Sequence, residues 1–164
     1  MKKFLLSLAM GMTAIGASAQ NTFNVRVGGA YLYEWAAFTT MTQANIPLNH
    51  HGSWTLSPAV QIAATGNGSV AGMLHANMGY RTRIANNWLF APKVGVAGGY
   101  SSLQDFDDAW LVGPSIDLTF EYKHFVIGLT EFYSIPSTSS DQWPYWEYDS
   151  SHSPLVSLTL GYTF

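Results

Sequence analysis

The chain has 164 residues and no cysteine; 48% of its residues are hydrophobic, 15% aromatic and only 10% charged. A soluble domain usually carries about 25% charged residues, so few groups are present to hold a surface in water, and a disulfide scaffold is excluded. Seven basic residues stand against ten acidic ones, a balance that argues against a nucleic-acid partner.

The N-terminus reads as an address. Lys2 and Lys3 form a positive region, Phe4 to Ile15 is apolar apart from Ser7, Gly11 and Thr13, and Ala17-Ser18-Ala19 places small residues where signal peptidase reads. We expect a signal peptide over 1–19, cleaved before Gln20, and a single domain over 20–164. A helical span needs ~20 apolar residues, and neither this segment nor any later one supplies them. The exported chain is therefore soluble or crosses a membrane as strands. Setting aside Lys2 and Lys3 leaves five basic residues against ten acidic ones.

From Thr22 onward the pattern has period two, the mark of strands with unlike faces. Phe23, Val25, Val27, Tyr31 and Tyr33 oppose Asn24, Arg26, Gly28, Ala30 and Leu32. Trp54, Leu56, Val60 and Ile62 oppose Thr55, Ser57, Gln61 and Thr65, with Pro58 predicting a bulge or an irregular start. Val70, Leu74, Met78 and Tyr80 oppose His75, Asn77, Arg81 and Arg83. Trp88, Phe90, Val94, Val96 and Tyr100 oppose Lys93 and small residues. Trp110, Val112, Ile116, Leu118, Phe120 and Tyr122 oppose Ser115, Asp117, Thr119 and Glu121. Phe125 to Ser134 is apolar on both faces, so its register stays open. Val156, Leu158, Leu160, Tyr162 and Phe164 close the chain, with Ser157, Thr159, Gly161 and Thr163 behind.

These are seven strands, and closure asks for an eighth. A sheet edge cannot be satisfied in lipid, and bacterial single-chain barrels have even strand numbers with short periplasmic turns and long outer loops. Counting back from Phe164 places Lys123-His124 and Ile84 to Asn87 on the periplasmic side. Ile135 to His152, Ser101 to Asp108 and Thr65 to Ser69 fall outside. One more strand must then lie between Glu34 and His50, and Phe38 to Ile46 is the candidate. The expected fold is an all-β, closed, eight-stranded antiparallel up-and-down transmembrane barrel, with aromatic rings at both interfaces. A soluble sandwich or lipocalin-like barrel shares the alternation but needs a core on one face and water on the other.

The end of the chain, Leu158-Thr159-Leu160-Gly161-Tyr162-Thr163-Phe164, resembles the terminal strand of outer-membrane barrels. That resemblance implies an assembly signal at Tyr162 and Phe164, read by the barrel assembly machinery. With the signal peptide, the chain resembles small barrels of the OmpA/OmpX-like superfamily. The stretch Asn86 to Tyr100 is similar to the turn-and-strand units of the outer-membrane β-barrel domain group common in Bacteroidetes. The resemblance implies the cell outer membrane of a Gram-negative envelope and contact with its lipid; it does not imply an activity.

Projected inward, the polar faces give a lumen holding Asn24, Arg26, Gln61, His75, Asn77, Arg81, Arg83, Lys93, Asp117 and Glu121. Eight strands leave only enough width for side chains, so a polar plug with cations paired to Asp117 and Glu121 is expected, ahead of a narrow channel. Arg81 and Arg83 lie alternatively at the periplasmic rim. In the outer segment Ile135 to His152, Trp143, Tyr145, Trp146 and Tyr148 are candidates for binding an extracellular ligand, or for resting on lipid. The leading expectation is a structural or surface-interaction protein. The alternative is an outer-leaflet lipid-modifying enzyme of the lipid A deacylase or acyltransferase type, which would need Ser, His and a carboxylate together. His51 with Ser53 and His152 with Ser153 are the pairs at hand, and neither fits. The histidines match no zinc spacing, the acidic loops match no calcium motif, and no cofactor, metal ligand or catalytic residue is assigned. Glu131 shares a face with Phe125, Ile127, Leu129 and Tyr133, an odd place for a carboxylate.

Overall fold

Alternating faces make strands, and strands whose apolar face looks outward can satisfy their backbone only by pairing on both sides. The computed structural model describes residues 21–32, 35–102, 109–133, 135–136 and 155–164. It contains β1 (Thr22–Leu32), β2 (Trp35–Pro47), β3 (Trp54–Thr65), β4 (Val70–Tyr80), β5 (Thr82–Ala85), β6 (Trp88–Ser102), β7 (Ala109–Tyr122), β8 (Phe125–Phe132), β9 (Ile135–Pro136) and β10 (Leu155–Thr163). β5 continues β4, since Gly79 faces Lys93 and Thr82 faces Phe90 in one register. β9 likewise continues β8 along β7.

The result is eight staves. Each is antiparallel to both neighbours, and the β1–β10 and β6–β7 ladders close the sheet on itself. The fold is a closed eight-stranded antiparallel barrel. The strand inferred from closure exists as β2, longer at both ends than Phe38 to Ile46. Its periodicity is weak because its outward side is Thr40, Thr42 and Ala44 while Met41 points in. The open register between Phe125 and Ser134 is set by pairing: Val126, Thr130 and Phe132 are buried, while Phe125, Ile127 and Leu129 are exposed.

Pro58 produces no bulge. Register holds from Gln43 opposite Ala59 to Ile46 opposite Leu56, with rungs missing between. Proline offers no donor to that ladder, and the strand runs straight past it. The register shift recorded among the described residues lies instead between Arg83 and Ala85.

Short turns gather at one end. Residues 86–87 and 123–124 link neighbouring staves, with Asn87 and Lys123 at positive φ, a conformation that tight turns use. The six-residue turn 48–53 lies at this end too. The turn 66–69 and the strand ends at Leu32, Trp35, Ser102, Ala109, Pro136 and Leu155 lie at the other end, the loop end. The loop end of the lumen is apolar, filled by Leu32, Met73, Leu111, Phe132 and Leu155 with alanines between them. There both faces carry apolar residues, so alternation alone does not mark the inside.

The exterior is inverted relative to a water-soluble barrel. Val94, Leu74 and Leu160 are 63%, 62% and 62% exposed, whereas Arg26 and Asp117 are at 0%. The outward aromatics form cross-strand pairs. Trp54 faces Tyr80 with ring centroids 5.3 Å apart, Trp88 faces Tyr122 at 5.0 Å and Phe90 faces Phe120 at 4.7 Å near the short turns; Tyr100 faces Trp110 at 5.3 Å near the loops. Directly opposed rings of this kind couple by ~0.5–1.5 kcal/mol beyond their burial. A double-mutant cycle over Trp54→Ala and Tyr80→Ala, read from reversible urea unfolding in lipid, is expected to return a coupling in that range. A coupling of zero would contradict the pairing.

Candidate functional site

The interior of the barrel is organised by one carboxylate. Asp117 stands on the inner face of β7, directly opposite Lys93 on β6 and Thr130 on β8. Its Oδ1 accepts from Arg26 Nη1 at 2.9 Å and from the Thr130 hydroxyl at 2.9 Å. Its Oδ2 accepts from Gln43 Nε2 at 2.9 Å, Lys93 Nζ at 3.1 Å and Arg26 Nη2 at 3.3 Å. Lys93 uses its other donors on Gln43 Oε1 at 3.0 Å and the Thr119 hydroxyl at 2.9 Å. Side chains from β1, β2, β6 and β8 thus meet at Asp117 on β7, and a buried charge is tolerated because its lone pairs are filled.

Arg26 reaches this point from β1 by lying across β10 and β8. A Cβ at Gly161 or Gly128 would run into its side chain, so glycine at these two positions keeps the passage open. Nearer the short turns a second ion pair joins Arg81 to Glu121. Arg81 is partly exposed and Glu121 is buried. Three cations therefore face two carboxylates inside the barrel.

Asn24, Gln61, His75 and Asn77 are buried. Gln61 donates to Thr39 at 3.2 Å and Ser157 at 3.0 Å, and Asn24 donates to Gln43 at 3.3 Å. Arg83 is exposed, at the rim. Gln43, Thr119 and Thr130 belong to the network but were not singled out from sequence. Strand parity would have found Gln43 once β2 was trusted; Thr130 had no signal while the register of β8 was open. Tyr162 and Phe164 lie outside the barrel with ring centroids 5.0 Å apart, and Phe164 N donates to Phe23 O at 2.7 Å across the closing seam. Trp143, Tyr145, Trp146 and Tyr148 lie outside the described residues, as do His152 and Ser153.

A Ser–His contact does occur, though not at either pair noted in the sequence. His75 Nδ1 lies 2.9 Å from Ser115 Oγ, both buried on the inner face. Asp117 is the neighbouring carboxylate, but the hydrogen bonds to its oxygens come from Arg26, Lys93, Gln43 and Thr130, so it does not orient the imidazole as a hydrolytic triad requires. His51 and Ser53 sit in the 48–53 turn, with His51 exposed. Among the described residues no three His, Asp or Glu side chains are grouped to hold a metal ion. Glu131, half-buried on the outer face, is hydrogen-bonded to Tyr133.

No protein-family model matches the chain, and no curated protein matches it. Among solved structures it is similar to neisserial surface protein A, at 7% identity over 87% of this chain and 92% of that one, with a TM-score of 0.49. It is also similar to the Yersinia pestis outer membrane protein Ail in a phospholipid bilayer nanodisc, at 13% identity over 88% and 99%, TM-score 0.47. The crystal structure of Ail, the attachment invasion locus protein, gives 12% identity over 88% and 96%, TM-score 0.44. The fold stands on the closed hydrogen-bond ladder, independently of these likenesses.

Removing one member of a buried ion cluster strands the others, at a cost of ~3–5 kcal/mol, whereas replacing the cluster with packed apolar groups is far milder. Asp117→Asn is expected to lose about that much unfolding free energy. The triple variant Arg26→Met, Lys93→Met, Asp117→Leu is expected to lose less than the single one. Equilibrium urea titrations of the refolded barrel compare the two, and the reverse order would refute the hub.

Proposed function

We propose that the protein is an exported outer-membrane barrel whose membrane part is a closed scaffold and whose role is structural or surface-interacting, exercised through its outer loops. The observation that carries the reading is the inverted polarity of the wall: ion pairs and amides inside, a largely apolar surface with paired aromatic rings outside. In water such a surface would drive association; in a bilayer it is the stable arrangement. The sequence features at residues 1–19 support export, and Tyr162 with Phe164 supports recognition by the barrel assembly machinery. With the apolar packing at the loop end and the Asp117 network beneath it, the lumen has no width left for ions. Specificity then falls to the outer segment that carries Trp143, Tyr145, Trp146 and Tyr148, whose rings suit an extracellular ligand. The buried His75–Ser115 contact offers no route to a lipid substrate, so the reading is non-catalytic.

Two measurements test it. In a bilayer, Val94→Arg places a guanidinium on the outward face and is expected to destabilise the barrel by ~2–4 kcal/mol if Val94 lies near the midplane, less toward the interface; the same change in a water-soluble protein would be neutral or helpful. The wild type in membranes is expected to show a heat-dependent shift in gel mobility and no unitary current steps in planar bilayers. A protein recovered soluble and without the shift would sink the membrane reading, and steady ohmic steps would sink the closed lumen.

A further inference from the structure

The two ends of the lumen are not alike. At the loop end it is packed with apolar side chains. At the short-turn end a cavity of about 260 Å³ opens between the barrel mouth and the 48–53 turn, lined by Thr22, Asn45, His50, His51, Thr55 and Arg81 together with Pro47 and Gly52. One water occupies about 30 Å³ of liquid, so the space is several times what a single solvent molecule needs.

The turn that roofs this cavity is built, not loose. Asn49 Oδ1 accepts from Ser53 N at 2.9 Å and Trp54 N at 3.3 Å, Gly52 N donates to Asn49 O at 3.0 Å, and Arg81 N donates to Ser53 O at 2.6 Å. Gly52 takes a φ of 66°, which a glycine supplies without strain. These bonds place His50, His51 and Arg81 together on the lining of the cavity.

The chemistry of the lining is one-sided. It contains a guanidinium, two imidazoles, hydroxyls and an amide, and no carboxylate. Arg81 spends Nη2 on Glu121, but its Nε has no partner. Thr55 is 4% exposed and its hydroxyl, at the cavity wall, also has no partner. Among the described residues inside the barrel, Arg26, Lys93 and Arg81 face Asp117 and Glu121, an excess of one positive charge. Buried donors without acceptors cost free energy, and a ligand that supplies acceptors and negative charge would relieve them. A divalent cation is opposed by Arg81.

We propose that the short-turn mouth of the barrel is a binding site for an oxyanion, a phosphate or carboxylate group, held by Arg81 with His50, His51 and the Thr55 hydroxyl. On the reading above this mouth faces the periplasm, but the site does not depend on what the outer loops bind. The guanidinium contributes a charge-assisted hydrogen bond, the histidines ring N–H donors.

The test uses the whole mature protein refolded in an uncharged maltoside detergent, with inorganic phosphate as the probe and amide NMR as the readout. Saturable shifts confined to the 48–53 turn and Arg81 are expected, with chloride at equal ionic strength giving none. Arg81→Gln is expected to weaken phosphate about tenfold or more, which is about 1.4 kcal/mol, and Arg81→Lys to keep most of it. His50→Gln with His51→Gln, both in an exposed turn, is expected to weaken it severalfold without touching the barrel; this pair decides if Arg81→Gln fails to fold. Shifts that chloride reproduces, or phosphate binding unchanged in both variants, would overturn the site. A protein that keeps its heat-dependent gel shift while binding no phosphate would lose this inference and keep the membrane reading. If phosphatidylglycerol discs displace phosphate, the bound group is a lipid headgroup; if they do not, it is a soluble oxyanion. Either result leaves the oxyanion site standing.

Discussion

A sheet whose outer face is apolar cannot leave an edge. In hydrocarbon no water is available for an unpaired N–H or C=O, and each one left open costs several kcal/mol. That constraint makes the seam between β1 and β10 the defining contact, because it joins the two ends of the described chain into one ladder. Phe23 and Phe164 exchange backbone hydrogen bonds at its edge, and Thr163 N reaches His124 O on the next turn. Once the seam is closed, the facing of every residue follows. Odd and even positions on each stave are committed to the outer face or the lumen, and a slip of one residue would exchange them all.

Closure at eight staves also sets how much room the inside has. The lumen admits side chains and little else, so long polar groups must share space, and Arg26 crosses two glycines to reach its carboxylate. The Asp117 network answers a problem the closure creates: polar residues directed inward have no bulk water and must find each other. Arg26 and Asp117 are 91 residues apart in sequence, yet meet at 2.9 Å. Such a network contributes less net stability than its bonds suggest, because desolvation opposes it, but it admits one arrangement of the staves around it.

The lumen also has a direction. Apolar packing at the loop end gives way to buried charge and then to a polar mouth under the 48–53 turn. A largely apolar wall thus encloses an interior packed with apolar side chains at one end and lined by polar ones at the other.

Much of this was legible in the chain because strand facing is a local property. Period two, the placement of Trp54, Trp88, Tyr100 and Trp110 near strand ends, and the inward parity of Arg26, Lys93, Asp117 and Glu121 depend only on neighbours along one strand. Even β2, with almost no periodicity, followed from the demand that the strand number be even. What the sequence could not determine was partnership. That Gln43 and Thr130 complete the Asp117 cluster, that His75 meets Ser115, and that Arg81 turns to Glu121 all depend on the register between strands distant in sequence. The apolar packing of Leu32, Phe132 and Leu155, and the cavity under His50 and His51, depend on it too. Facing is decided residue by residue by the pleat of one strand; contact across the lumen is decided only when the sheet curls shut and sets each stave's height against the others.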